Sequence, residues 1–302
     1  MSYEVEVQFA PVHELLNSLH TYICRKSYKK TDLGVSWAKE VRNKITEEFA
    51  SVLDHTEVNY DWKLVYLLLY LCPCNTEVET FLGWLEGLSA GEIYEMLSQY
   101  VNRFPDNVDE YRKRIHYLLS EWNKQYFQKW DRNMIDRLKQ HAVQKQQEMN
   151  ESPLMNFVDE TTNGFHFVPI EGLERLIFIP QYHFQPANII YHFGKVTICN
   201  YSSRIHEVND DIPVMMHKAI RSLGEKSRLR ILQYLYQEPK SFTEIVKHVG
   251  ISKGIVHDHL FNLRTAGLIY AYIEGENVIG YSLRTQGIEQ MYEQLLLYVN
   301  ES

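Results

Sequence analysis

The sequence predicts a mainly helical chain of the α+β class: an N-terminal helical domain with a small β region, followed by a C-terminal domain of short helices closed by a β-hairpin. Three observations predict it. Apolar residues recur at helical spacing through residues 10–148, the texture changes to short β-branched and aromatic runs in residues 155–205, and helical periodicity resumes after Pro213. The expected domains are therefore 1–212 and 213–302.

Pro11 stands at a first helical position, and Val12, Leu15, Leu16, Leu19, Tyr22 and Ile23 then mark one apolar stripe. Val35, Ala38, Val41, Ile45, Phe49 and Val52 repeat the pattern. Asp61 is the expected N-cap of a helix over residues 62–71, which is apolar on nearly every face and so belongs at the centre of its domain. Further helices are expected over 78–85, over 93–101 before Pro105, and from Tyr111 through Tyr126 toward Leu138, about six or seven in all. The Gln-rich stretch 140–153 ends this pattern. Residues 176–179, 188–193 and 195–199, with Gly194 in a tight turn, join the alternating segment 3–7 in one expected sheet.

A chain of 302 residues is long enough for two ordinary cores. Its 45% apolar and 23% charged residues are those of a globular protein. The longest apolar run, Leu64 to Cys72, has nine residues, about half of the ~18–20 that span a bilayer, so no membrane segment is expected. The opening Met-Ser-Tyr-Glu-Val-Glu-Val is unlike a secretory signal, and four cysteines (Cys24, Cys72, Cys74, Cys199) are too few for a disulfide scaffold. A cytoplasmic location is expected. The net charge of −8 is uneven: residues 1–212 hold 21 Lys and Arg against 30 Asp and Glu, and residues 213–302 hold 10 against 9. The C-terminal part can therefore meet a polyanion, which responds to local rather than total charge.

That part reads as a helix 215–223, a break at Gly224, and a helix 228–236. Ser241-Phe-Thr-Glu244 is a capping box opening a third helix. Val249-Gly250-Ile251 makes a turn, and Ser252 caps a helix from Lys253 to Thr265 whose Val256, Leu260 and Leu263 face inward. This is the grammar of a helix–turn–helix. Residues 268–273 and 278–283 flank Glu274-Gly-Glu-Asn277 as a hairpin, or wing, and a terminal helix begins at Thr285. The blocks Leu223-Gly-Glu-Lys-Ser-Arg-Leu-Arg-Ile-Leu232, Ile251-Ser-Lys-Gly-Ile-Val-His-Asp-His-Leu260 and Leu263-Arg-Thr-Ala-Gly-Leu-Ile269, in this order, resemble the winged helix–turn–helix of ArsR-type bacterial transcription regulators. The front of the chain, around Phe9-Ala-Pro-Val-His-Glu-Leu-Leu16 and residues 179–201, resembles the extra N-terminal region of long members of that family.

The resemblance implies a DNA-binding repressor and a homodimer whose terminal and first helices pair, presenting two recognition helices to a palindromic duplex site. Carried over residue by residue, it directs Ser252, Lys253, Ile255, His257 and Asp258 at DNA, with Thr243 on phosphate. Lys253 suits phosphate or a guanine edge, His257 a base acceptor, and Ile255 a thymine methyl. Asp258 departs from the family, which commonly has His there, and the wing tip is acidic at Glu274 and Glu276. His259 is expected to pack beside the core. A winged helix can also serve as a protein-docking module, which is the alternative.

No metal site is expected, because Thr243-Glu-Ile-Val-Lys-His248 has no Cys and the terminal helix has no His. Cys72-Pro-Cys74 and the dispersed His183, His192 and His206 are weighed as ligands and read instead as structural. No cofactor and no catalytic residue is expected, since no phosphate loop, nucleophile elbow or His-Glu-x-x-His pattern occurs. Of the 39 aromatic residues, 30 fall in residues 1–212, enough to line a pocket for a small-molecule effector.

Overall fold

A computed structural model of the chain describes residues 3–73, 77–206 and 212–300. In chain order the elements are β1 (Glu4–Val7), α1 (Pro11–Ile23), α2 (Gly34–Lys44), α3 (Glu47–Asp54), α4 (Tyr60–Leu71), α5 (Val78–Gly87), α6 (Ala90–Ser98), α7 (Val108–Gln125) and α8 (Arg132–Glu151). They continue with α9 (Leu154–Thr162), β2 (Phe165–Phe167), β3 (Arg175–Gln181), β4 (Ile189–Phe193) and β5 (Val196–Ser202). The last are α10 (Val214–Leu223), α11 (Lys226–Leu235), α12 (Phe242–Val249), α13 (Lys253–Thr265), β6 (Ile269–Glu274), β7 (Asn277–Leu283) and α14 (Thr285–Asn300). The fold is mainly helical, of the α+β class.

Two compact units result, Met1–Gln147 with Glu171–Ile205, and Glu148–Ile170 with His206–Ser302. This differs from the expected division at 212/213, since residues 148–170 belong with the C-terminal unit. The physical reason is a strand. Phe165 and Phe167 are buried while His166 between them is half-buried, and β2 pairs in parallel with β6 in the three-stranded order β2-β6-β7. Of the expected boundary segment, residues 209–211 lie outside the described residues.

In the first unit the expected sheet forms in the order β1-β3-β5-β4, with β1, β3 and β5 parallel and β4 antiparallel to β5. Every residue of β5 is buried, and all of β3 but Arg175, as for parallel strands covered on both faces. The helix enclosed on every side is α1, of whose 13 residues all but Pro11 are buried; α4, expected at the centre, shares that core through Trp62 and Leu64 to Leu69. The cap of α4 is Asn59, whose Oδ1 accepts from Trp62 N (3.0 Å), with Asp61 in the first turn rather than at the cap. The Gln-rich stretch is helical, not a terminator: α8 runs to Glu151 on the narrow buried stripe Met134, Leu138, Ala142 and Lys145.

A buried carboxylate ties α1 to the two residues that follow β3. Glu14 accepts from the backbone N–H groups of Tyr182 (3.1 Å) and His183 (2.9 Å) and lies 2.6 Å from His183 Nδ1. Tyr126 Oη is 2.9 Å from His183 Nε2 and accepts from Trp37 Nε1 (2.9 Å). Glu14 and His183 are fully enclosed, so the group has partners on all sides and no face toward solvent.

In the second unit α9 and the start of β2 are bound by charged groups to α13 and to the segment that follows β7. The Arg284 guanidinium, 2% exposed, grips the Asp159 carboxylate through Nε (2.8 Å) and Nη2 (3.0 Å) and donates from Nη1 to Gly267 O (3.1 Å). Arg264 donates to Thr162 O (3.0 Å) and lies 4.3 Å over the Phe165 ring. The backbone entering β2 passes so close to β6 that a Cβ on Gly164, at φ +110°, would stand 2.7 Å from Ile269 O. Only glycine fits there.

Candidate nucleic-acid interface

The core of the second unit gathers Ile231, Leu232 and Leu235 of α11, Ile245 and Val249 of α12, and Val256, Leu260 and Leu263 of α13. Each helix therefore turns one apolar stripe inward and leaves the other face to solvent. At the start of α12 the capping box forms as the sequence predicts: Glu244 N donates to Ser241 Oγ (3.3 Å) and Ser241 N to Glu244 Oε2 (2.8 Å). These bonds to Ser241 hold the Glu244 carboxyl below its usual range. Thr243 is exposed in the first turn.

Gly250, at φ +72°, makes the turn, a left-handed conformation that side chains other than glycine adopt with strain. Ser252 then caps α13, its Oγ accepting from Ile255 N (3.4 Å). Ser252, Lys253, Gly254, Ile255, His257 and Asp258 are exposed, while Val256 between them is fully buried. Ile255 is 49% exposed, an apolar side chain held out on a polar face. His257 Nδ1 lies 3.9 Å from Asp258 Oδ1, both side chains well solvated.

His259 is buried, and it does more than pack. Arg228 Nε donates to its Nδ1 (3.3 Å), and its Nε2 faces Glu225 Oε2 (3.4 Å). Burial pushes the imidazole below its usual value, which suits the neutral ring that accepts on one nitrogen and donates on the other. Glu225 is also the N-cap of α11, accepting from Arg228 N (2.9 Å). One carboxylate thus fixes both the start of α11 and, through His259, the roll of α13. Sequence reading missed this link, whose parts lie 31 or more residues apart.

The wing is a hairpin of β6 and β7, with Gly275 and Glu276 in its turn. Besides the acidic Glu274 and Glu276, it exposes Val278 and Ile279 on β7. Lys240 is committed elsewhere, to Glu238 and the face of Tyr234, whose ring stacks on His248 at 3.8 Å.

The histidines weighed as ligands do not converge. His183 is taken by Glu14, His192 Nδ1 lies 2.9 Å from Thr197 Oγ1, and no group of three or more His, Cys, Asp or Glu is placed to hold a metal among the described residues. Cys72 is buried, and Cys74 lies outside the described residues. Among the described residues no helix is long and apolar enough to cross a membrane.

Residues 225–271, from the cap of α11 into β6, match the family model of bacterial regulatory proteins of the arsR family. The C-terminal region thus carries an ArsR-type winged helix–turn–helix, a DNA-binding module of transcription regulators. Among solved structures the chain is similar to a possible transcriptional regulatory protein (fragment 1–100) from Mycobacterium bovis, at 21% identity over 29% of this chain and 92% of that one, with a TM-score of 0.24. Among curated proteins the search returned no match.

Proposed function

We propose that the chain is a cytoplasmic, dimeric transcription repressor that reads a palindromic operator through α13, with the N-terminal unit sensing a signal or enlarging the dimer. The reading rests on one observation above all: α13 is anchored by Val256, Leu260 and Leu263 while Ser252, Lys253, Ile255, His257 and Asp258 stand in solvent. In this reading Lys253 meets a phosphate or a guanine edge, His257 donates to a base acceptor, Ile255 touches a thymine methyl, and Asp258 accepts from a cytosine amino group. Thr243 meets phosphate at the start of α12, where the helix dipole favours an anion.

A second copy has a surface to meet. Along α14, Tyr292 (58% exposed), Leu296 (44%) and Val299 (59%) form one apolar stripe, and Gly287 is the only buried residue of this helix. A paired α14 would remove that stripe from water and set two α13 helices about 34–36 Å apart, one turn of duplex.

The test is an anisotropy titration on the operator upstream of the chain's own gene. Lys253→Ala is expected to weaken binding by about 1–3 kcal/mol if it reads a base, and more uniformly across sequences, with a shallower salt dependence, if it meets phosphate. Binding that is unchanged by Lys253→Ala rejects both roles. The acidic wing tip with Val278 and Ile279 exposed favours the other reading, a protein-docking winged helix. In that case DNA association would lack the steep loss with salt that counterion release produces.

A further inference from the structure

We propose that the first unit holds a binding site for a small organic carboxylate, in the cleft where the end of α4 faces the junction of β1 and α1. The cleft measures about 530 Å³, within the ordinary range for small-molecule sites of about 300–1,000 Å³, and the residues that line it belong to this one unit. His13 of α1 and Arg175 of β3 line it, and the half-buried side chains of Phe9, Tyr70 and Tyr100 lie along it. Among the described residues the lining holds one cation, Arg175, and no carboxylate, although residues 1–212 as a whole hold 21 Lys and Arg against 30 Asp and Glu.

The residue that points to a ligand is His13. It is 3% exposed, and its Nδ1 accepts from Ala10 N at 2.8 Å. An imidazole that accepts on Nδ1 carries its proton on Nε2. That N–H has no hydrogen-bond partner among the described residues, and it is not one of the polar atoms sealed from solvent, so it opens into the cleft that His13 lines. Buried donors are ordinarily satisfied, and this one marks a place where an acceptor belongs. Burial pushes the ring down to about 4, which keeps it a neutral donor and not a second charge.

Arg175 supplies the charge, nearer to solvent. Its side chain is 49% exposed, and its two partners, Glu6 Oε1 at 3.5 Å and Tyr70 Oη at 3.4 Å, both meet Nη1. Nε and Nη2 have no partner among the described residues. They are the pair with which Arg284 grips Asp159, two donors side by side that match the two oxygens of a carboxylate. His13 stands in the first turn of α1, where the helix dipole also favours an anion.

These groups choose the ligand. An ammonium ion would meet the guanidinium and nothing to neutralise it. A phosphate dianion would keep one charge uncompensated. A single carboxylate matches the single cation, with the N–H of His13 for an oxygen and the three aromatic side chains for an apolar body. The site stands independently of the DNA-binding reading; only its designation as an effector site would rest on that reading.

The experiment is calorimetric titration of the full chain, without DNA, using benzoate, 4-hydroxybenzoate, inorganic phosphate and benzyltrimethylammonium. Saturable one-to-one binding of at least one of the two carboxylates is expected, with no binding of phosphate or of the ammonium ion. Arg175→Gln, an exposed change that leaves the fold alone, should weaken it about tenfold, and His13→Asn, which keeps an acceptor for Ala10 N but lacks the N–H toward the cleft, about threefold. Arg132→Gln, exposed and outside the cleft, should change nothing. Absence of saturable carboxylate binding overturns the proposal, as does equal binding of phosphate or benzyltrimethylammonium, or affinity untouched by Arg175→Gln, which decides the matter even if His13→Asn fails to fold. Absence of operator binding with carboxylate binding intact would count against the regulator reading and leave the site standing.

Discussion

Deleting the Asp159 carboxylate would strand the Arg284 guanidinium inside the second unit, where it is 2% exposed and has no water to replace the lost partner. Asp159→Ala should therefore lower the unfolding free energy by about 3–5 kcal/mol, read from urea denaturation. Replacing both residues, Asp159→Ala with Arg284→Met, should recover much of that loss, because no charge is then left buried. A loss confined to a few tenths of a kcal/mol in the single variant would mean that water reaches Arg284. The pair was not legible in the sequence. Its members are 125 residues apart, and nothing in the composition of either neighbourhood announces a partner. The exposed residues of α13 were legible, because a helix with three anchors on one face leaves the others outside.

Two histidines of α1 make that helix sensitive to acid. Burial pushes His13 down to about 4 and His20 down to about 3, each neutral ring accepting a hydrogen bond, from Ala10 N (2.8 Å) and from Trp62 Nε1 (3.1 Å). The unfolded chain binds protons at these residues near pH 6.5, the folded chain not until about 4 and about 3. Stability is thus fully present above pH 6.5 and falls as the pH drops, by about 1.4 kcal/mol per pH unit per histidine, until the folded values are reached. Urea unfolding of the first unit at pH 7.5 and pH 5.0 should differ accordingly, and the difference should shrink in His20→Gln. A pH-independent midpoint would contradict the burial of these rings. Elements with strong periodicity, α4 and α13, could be read from sequence nearly to their ends, and α1 in its start and its apolar stripe but not in its end at Ile23. The second half of α8 could not, since its buried face is a single row ending in Lys145 and the rest of its surface is polar.

At the scale of the whole chain, the winged helix is not a self-contained tail. A fragment beginning at Pro213 lacks β2, the Asp159 partner of Arg284, and the Thr162 carbonyl that receives Arg264. It should melt without a cooperative transition in circular dichroism, whereas a chain joining 148–170 to 212–302 should unfold cooperatively. Equal cooperativity in the two would show that β2 and α9 are dispensable. Reading the sequence placed the boundary at the charged segment before Pro213 because helical periodicity resumes there. The alternation of Phe165 and Phe167 belonged to a different sheet from the strands that follow it, and pairing across that distance leaves no local mark.

The parallel pairing of β2 with β6 also orders events at the ribosome. Phe165 to Phe167 leave the exit tunnel about a hundred residues ahead of Ile269 to Glu274, an interval of about 5–20 s at ordinary rates of synthesis. For that interval two aromatic side chains and an open strand edge wait for a partner not yet made, while the intervening residues complete the first unit. Nascent chains of this protein are accordingly natural clients for holdase chaperones, from the appearance of Phe165 until the wing is translated.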